Sequence, residues 1–242
     1  MSAGSENIVA SEGVISKIRS RIYASFFGSH NPVSTPAGFL EILRGIPAGT
    51  SILDVGCGDG LYYTDKRIID LIKEKRLQIY SIDVDAGATP IAQERINKAG
   101  LADLVKAETM DLLSLELSPE QPKYDVVLFM ESFPVIDRPL MAKLVHKATS
   151  VGKQIQLSHN LVENKNWFLS WLKPRIKYFT LVDFGALTSI QEQEEIIKAQ
   201  WGVPKFKIEP LLSCKYGQMS LAFNFFPFVR SWVITQYLVT LG

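Results

Sequence analysis

The chain has 242 residues, enough to bury a large core within one α/β domain. Its 26 basic and 25 acidic side chains leave a formal net charge of +1, which excludes a field that would gather nucleic acid or an anionic membrane over distance. Two cysteines far apart, Cys57 and Cys214, exclude a disulfide framework and a paired-cysteine metal clip, so a reducing, cytoplasmic setting is expected.

The opening stretch MSAGSENIVASEG is polar, and no signal peptide is expected from it. A first helix is predicted over residues 13–27, with Val14, Ile15, Ile18 and Ile22 on one face. A loop at 28–32 leads to a short helix over 36–44, which carries Phe39, Leu40 and Leu43 and stops at Gly45 and Pro47. Residues 1–47 thus form an N-terminal helical cap.

From residue 51 onward, short apolar strands alternate with amphipathic helices, the pattern of a parallel sheet covered on both faces. Strands are predicted over 51–55, 77–82, 103–107, 124–129 and 153–158. Ile68, Leu71 and Ile72 mark the core face of one intervening helix. Pro90, Ile91, Ala92, Ile96 and Ala99 mark the next, which Gly100 closes. Another, over 138–150, lays Leu140, Met141, Leu144, Val145 and Ala148 along one stripe.

Beyond the fifth strand, Trp167, Phe168, Trp171 and Leu172 suggest a helix ended by Pro174. Residues 189–200 suggest another, with acids early and Lys198 late, as the helix dipole favours. Strands over 205–211 and 233–241 complete the sheet, and the aromatic, proline-broken stretch 212–230 between them reads as an apolar insertion. Residues 218–241 are largely apolar, but Asn224, Pro227, Arg230 and Gln236 interrupt them, so no membrane span is expected. Contact with a membrane surface is left open.

The segment Leu53-Asp54-Val55-Gly56-Cys57-Gly58-Asp59-Gly60 joins the first strand to the following helix. Glycines at three alternate positions let the backbone turn sharply and approach a ligand, and the free N–H groups of the helix start are expected to face it. Taken alone, such a loop also fits a tight turn without a ligand. A dinucleotide GxGxxG loop needs its third glycine where Leu61 stands, which disfavours a nicotinamide oxidoreductase. Asp83 ends the second strand at the interval that sets a carboxylate over a ribose diol, with Val84 beside it. Asp85 reads instead as a cap of the next helix.

The GxGxG spacing with Asp54 just ahead resembles the S-adenosylmethionine (SAM) loop of class I methyltransferases. The resemblance runs over about 39–160 and is strong over 53–60. It implies a doubly wound, mostly parallel α/β sheet of seven strands with the last reversed, helices on both faces, and SAM as cofactor. It places the methionine part of SAM against Asp54, Gly56, Cys57, Gly58 and Gly60. It further implies that Asp111 accepts from the adenine amino group, that Met110 and Leu112 flank the ring, and that Met130 and the residues after it lie beside the reactive methyl. Read without that context, Asp111 is a loop or helix-cap aspartate.

Methyl transfer from a sulfonium is an in-line displacement that needs alignment and exclusion of water. It needs no metal, and a protein base only when the acceptor arrives protonated. His159, expected at the end of the fifth strand, is the first choice of base, with an ordinary strand-end histidine as the competing reading. Glu131 would orient a cationic acceptor or take a proton; the competing reading is an exposed loop acid. His30 and His146 are assigned no role.

The 130–134 segment departs from the Asn-Pro-Pro-aromatic signature of nucleic-acid amino methyltransferases. With the balanced charge, this points to a small-molecule acceptor and away from nucleic acid. Residues 48–160 then form the SAM-binding core, and 161–242 the acceptor-side half of a single domain. A catalytically silent SAM-binding or scaffold subunit is the alternative from another class. Nothing in the sequence indicates an oligomeric state.

Overall fold

The computed structural model describes residues 34–118, 120–130, 138–162, 188–212 and 234–242. The chain enters through α1 (Ser34–Gly45) and β1 (Ser51–Val55), then passes a glycine loop and a 3₁₀ turn (Leu61–Thr64) into α2 (Lys66–Lys75). There follow β2 (Gln78–Asp83), α3 (Thr89–Lys98), β3 (Val105–Thr109) and a second 3₁₀ turn (Leu112–Ser114). Then come β4 (Tyr124–Met130), α4 (Arg138–Val151), β5 (Gly152–Val162) and the short β6 (Thr188–Ser189). Last are α5 (Ile190–Ala199), β7 (Phe206–Leu212) and β8 (Ile234–Leu241).

The strands form one sheet in the order β3-β2-β1-β4-β5-β8-β7, with the two-residue β6 paired only to β5. β1 to β5 run parallel, whereas β8 is antiparallel to both β5 and β7. The reversed last strand implied by the family resemblance is therefore present, lodged between its two neighbours.

The central strands are apolar on both faces, which is why the sheet must be covered twice. Ile52, Val126 and Leu128 pack into one core with Phe39 and Leu43 of α1, Ile68 and Ile72 of α2, and Ile96 of α3. Leu53, Val127 and Phe129 pack into the other with Met141 and Val145 of α4 and Ile197 of α5. Each such side chain contributes about 1.5–3 kcal/mol by leaving water.

Helix ends carry local signals. Asp65 caps α2 by accepting from the Arg67 amide, and Gly100 takes a left-handed φ of 64° just past α3. Ser189 and Glu192 form a reciprocal capping box at the start of α5. At the amino end of the sheet, the Asp125 carboxylate accepts from the amide and hydroxyl of Ser51 and from Lys153 Nζ, stapling β4 to the starts of β1 and β5. The Lys153 ammonium holds that carboxyl well below its usual range, at about 2.

Two expectations shift. β3 begins at Val105, because a turn closed by the Leu104 and Val105 amides on the Leu101 carbonyl occupies the residues before it. β5 continues to Val162, because β8 supplies an antiparallel partner along its whole later half. The end of the apolar 218–241 stretch is a strand inside the sheet, and no helix among the described residues is long and apolar enough to cross a membrane. The helices expected over 13–27 and around Trp167 to Pro174, and the insertion 212–230 beyond Leu212, lie outside the described residues.

Gly152 sits where α4 hands over to β5, and a Cβ there would strike Val127 Cγ2 in the core. Gly152→Ala is expected to lower unfolding free energy by about 1–3 kcal/mol, the usual range for overpacking. Equilibrium urea unfolding checks this, and an unchanged midpoint would mean that Val127 yields freely.

Candidate functional site

Loops from β1, β2 and β3 meet at the carboxyl edge of the sheet, beside the switch point between β1 and β4 where open α/β sheets take ligands. In the first loop Gly56, Gly58 and Gly60 all adopt left-handed φ values, of 81°, 53° and 63°. The Gly56 and Cys57 amides donate to the Ile82 carbonyl at 2.8 and 3.3 Å, and the Gly60 amide donates to the Cys57 carbonyl at 3.0 Å. The Gly58 amide donates to Asp83 Oδ2 at 2.7 Å.

Asp83 is thus the junction of the three loops. Its Oδ1 accepts from the Asp85 amide at 2.9 Å, and its carbonyl accepts from the Met110 amide at 2.8 Å. Carboxylate oxygens accept more than one hydrogen bond each, so Asp83, half-buried, keeps capacity for a further donor.

The loop differs from expectation in one respect. It leads into a 3₁₀ turn rather than a helix, and α2 starts only at Lys66, because the left-handed Gly60 turns the chain back to bury Tyr62 and Tyr63. Most loop amides are consumed within the protein, and only that of Asp59 lacks a partner among the described residues of this loop. Asp85 accepts from the Gly87 amide at 2.8 Å, so it makes a turn ahead of α3; the helix cap is Ala88, whose methyl group cannot accept a hydrogen bond.

Asp54 is fully buried. Its Oδ2 accepts from the Tyr62 hydroxyl, from Ser81 Oγ at 3.1 Å and from the Tyr63 hydroxyl at 3.4 Å, while Oδ1 has no hydrogen-bond partner among the described residues. Burial raises its carboxyl to about 6, against the lowering effect of those hydroxyls. Tyr62 and Tyr63 are core residues, their rings 4.6 Å apart and Tyr62 4.3 Å from Phe39, and burial pushes both phenols up. The Cys57 thiol is buried, donates weakly to the Gly58 carbonyl at 3.6 Å, and is pushed well up by burial.

On the second and third loops, Val84 is 71% exposed and Leu113 39% exposed. Leu112 is buried in the core with Met110 packed against it, so Leu113 presents the apolar surface on that loop. Asp111 caps the 3₁₀ turn, Oδ1 accepting from the Leu113 amide at 2.9 Å, and its other oxygen has no partner among the described residues. Met130 ends β4 with its side chain buried. Glu131 lies outside the described residues. The backbone of His159 lies within β5, opposite Tyr237 and short of the strand end, because β8 extends the ladder past it; its side chain is outside the described ones.

Two neighbours of the site have no sequence signature. Arg95 of α3 donates to the Asp59 carbonyl at 2.7 Å and pairs with Asp59 Oδ2 at 2.7 Å. Ala92 of the same helix lies under Gly60, where an added Cβ would be 2.9 Å from Ala92 Cβ. Both depend on α3 folding back onto a loop far earlier in the chain. Among the described residues, no group of three His, Cys, Asp or Glu is placed to hold a metal ion.

Residues 52–154 match the methyltransferase-domain family. No curated protein matches the chain in sequence. Among solved structures, the mitomycin 7-O-methyltransferase MmcR is similar with a TM-score of 0.57 at 17% identity, over 89% of this chain and 55% of that one. A SAM-dependent methyltransferase from Geobacter sulfurreducens, in complex with S-adenosylhomocysteine, gives 0.54 at 14% identity, over 92% of this chain and 97% of that one. The [4+2]-cyclase SpnF gives 0.55 at 16% identity, over 85% and 80%. At such identities the likeness is one of fold, and the chain spans little more than half the length of MmcR.

Residues 52–154 thus carry a methyltransferase domain, and the chain shares the Rossmann-like fold of the SAM-dependent methyltransferases to which it is similar. S-adenosylmethionine is the cofactor that a methyltransferase domain implies.

Two consequences follow for the loop. Gly60→Ala, strained by its φ and by Ala92, is expected to cost about 1–3 kcal/mol of stability in a denaturant titration. For Asp54, the unfolded carboxyl ionises near 3.8 and the folded one near 6. Between those values the folded chain holds a proton that the unfolded chain has lost, so this group's contribution to stability falls as pH rises from about 4 to 6 and is level above. Asp54→Asn removes that slope. The unfolding free-energy difference between variant and parent should move by about 2–3 kcal/mol in the variant's favour from pH 4 to pH 7, and parallel pH curves would refute it.

Proposed function

We propose that this protein transfers a methyl group from SAM to a small-molecule acceptor, with the cofactor lying across the three loops joined by Asp83. The observation that carries the reading is Asp83 itself, a carboxylate locked by two amides at the crevice edge with exposed Val84 beside it. The surroundings fit the cofactor. A Cβ on Gly58 would meet nothing within 4 Å, so there is room above the loop, and Val84 and Leu113 offer apolar surface that a planar ring would cover.

When bound, the cofactor supplies an electrophilic sulfonium methyl. Gly56, Cys57, Gly58 and Gly60 shape the floor for its amino-acid end, with the Asp54 charge beneath them. Asp83 accepts from the ribose hydroxyls, and Asp111 uses its second oxygen for the adenine amino group. Val84, Met110 and Leu112 belong to the ring's surroundings, joined by Leu113. Met130 lies at the inner wall, and His159 and Glu131 are proposed for the acceptor side, as base and as orienting acid.

The acceptor is a small molecule rather than nucleic acid, which the balanced charge and the O-methyltransferase MmcR on the same fold both favour. Residues 1–47 and 161–242 shape its pocket around the cofactor core 48–160 in a single domain. The apolar insertion 212–230 would be a pocket wall able to touch a membrane surface. The setting is proposed to be cytoplasmic.

A second reading, a SAM-binding protein without methyl transfer, gains support from the cyclase SpnF, which shares this fold. Incubation with methyl-labelled SAM and cell extract separates the two: a labelled small molecule supports transfer, whereas tight SAM binding with no labelled product favours the second. Stabilisation by NAD but not by SAM in a thermal-shift assay would overturn both. In calorimetric titration, Asp83→Ala should weaken SAM by about 1.5–3 kcal/mol, the value of hydrogen bonds to a charged group. Unchanged affinity removes Asp83 from the site.

A further inference from the structure

The cofactor loop is acidic. Asp54 lies beneath it, Asp83 binds its Gly58 amide, and Asp59 is part of it. An amino-acid end carries both an ammonium and a carboxylate. Three acids favour the first and repel the second, so a loop that receives both needs a compensating cation.

Among the described residues, the cation paired with this loop is Arg95 of α3, and its geometry is specific. One guanidinium nitrogen, Nη1, lies 2.7 Å from both the carbonyl and the carboxylate of Asp59, so the arginine grips backbone and side chain together. The pair is only partly exposed, 27% for Arg95 and 25% for Asp59, which limits screening by solvent. Among the described residues, the grip leaves the Asp59 amide as the loop donor without a partner. Ala92, one helical turn before Arg95, packs under Gly60, so α3 sets both the position and the charge of the loop.

We propose that Arg95 is a positioning residue for the cofactor's amino-acid end: by neutralising Asp59 and holding its carbonyl, it makes an acidic loop able to receive a ligand carboxylate on the Asp59 amide. This rests on the cofactor reading above and adds to it a determinant of charge selectivity. No bond is made or broken in this role. Its signature is discrimination between two ligands that differ at that end: S-adenosylhomocysteine carries the amino-acid carboxylate and 5′-methylthioadenosine does not.

The test is calorimetric titration of the full chain with each ligand. Arg95→Gln should weaken S-adenosylhomocysteine about tenfold, a factor in keeping with one partly exposed charge-assisted contact, and leave methylthioadenosine within about twofold. Adding Asp59→Asn to Arg95→Gln should restore most of the lost affinity, because the uncompensated charge is gone. A purely structural brace would weaken both ligands alike and would not be rescued; either of those results overturns the proposal, as does unchanged binding in Arg95→Gln. Parent protein that binds neither ligand would overturn the cofactor reading and this inference with it. Parent protein that binds both, without the discrimination in Arg95→Gln, would overturn this inference alone.

Discussion

The site depends on the hydrogen bonds that converge on Asp83. Its carboxylate accepts from the Gly58 and Asp85 amides and its carbonyl from the Met110 amide, so one residue at the end of β2 sets the separation of three loops. The neighbouring Ile82 carbonyl adds the Gly56 and Cys57 amides. A glycine-rich segment has the most conformational freedom to lose on folding. Here that freedom is taken up by bonds within the protein, so the loop is shaped before any ligand arrives. Preorganisation of this kind lowers the ordering cost of binding.

The same arrangement concentrates negative charge. Asp54 stays buried because three hydroxyls, from Tyr62, Tyr63 and Ser81, face one of its oxygens, but they do not offset the loss of water, and its carboxyl titrates near 6. Asp59 is answered by Arg95. The two acids are thus handled differently: one by hydroxyls in a dry core, where ionisation is costly, the other by an ion pair at the rim, where a guanidinium also fixes the backbone. A site that takes a zwitterionic end can use both.

The sheet was legible because its strands are apolar on both faces and its helices on one, a contrast that periodicity alone reveals. Each principal strand over 51–241 was anticipated, with ends displaced by a few residues where pairing with a distant strand decides them, as β8 does for the later half of β5. The two-residue β6 was not anticipated, since so short a pairing leaves no pattern. The glycine spacing and the intervals to Asp83 and Asp111 located the three loops. They did not show that Leu113 rather than Leu112 stays exposed, since two adjacent leucines are equivalent until a 3₁₀ turn points one inward.

The sequence by itself determined the α/β alternation, the carboxyl-edge position of the acids and the SAM-type glycine interval, because these follow from local periodicity and spacing along one chain. Only the tertiary structure decided which amides the loop spends on its own protein, that Tyr62 and Tyr63 bury Asp54, that Asp83 joins three loops, and that Arg95 answers Asp59. The contacts that join separate elements are between residues from 8 to 36 positions apart. Their existence depends on how α3 and β2 pack against β1, and a linear pattern carries no record of that.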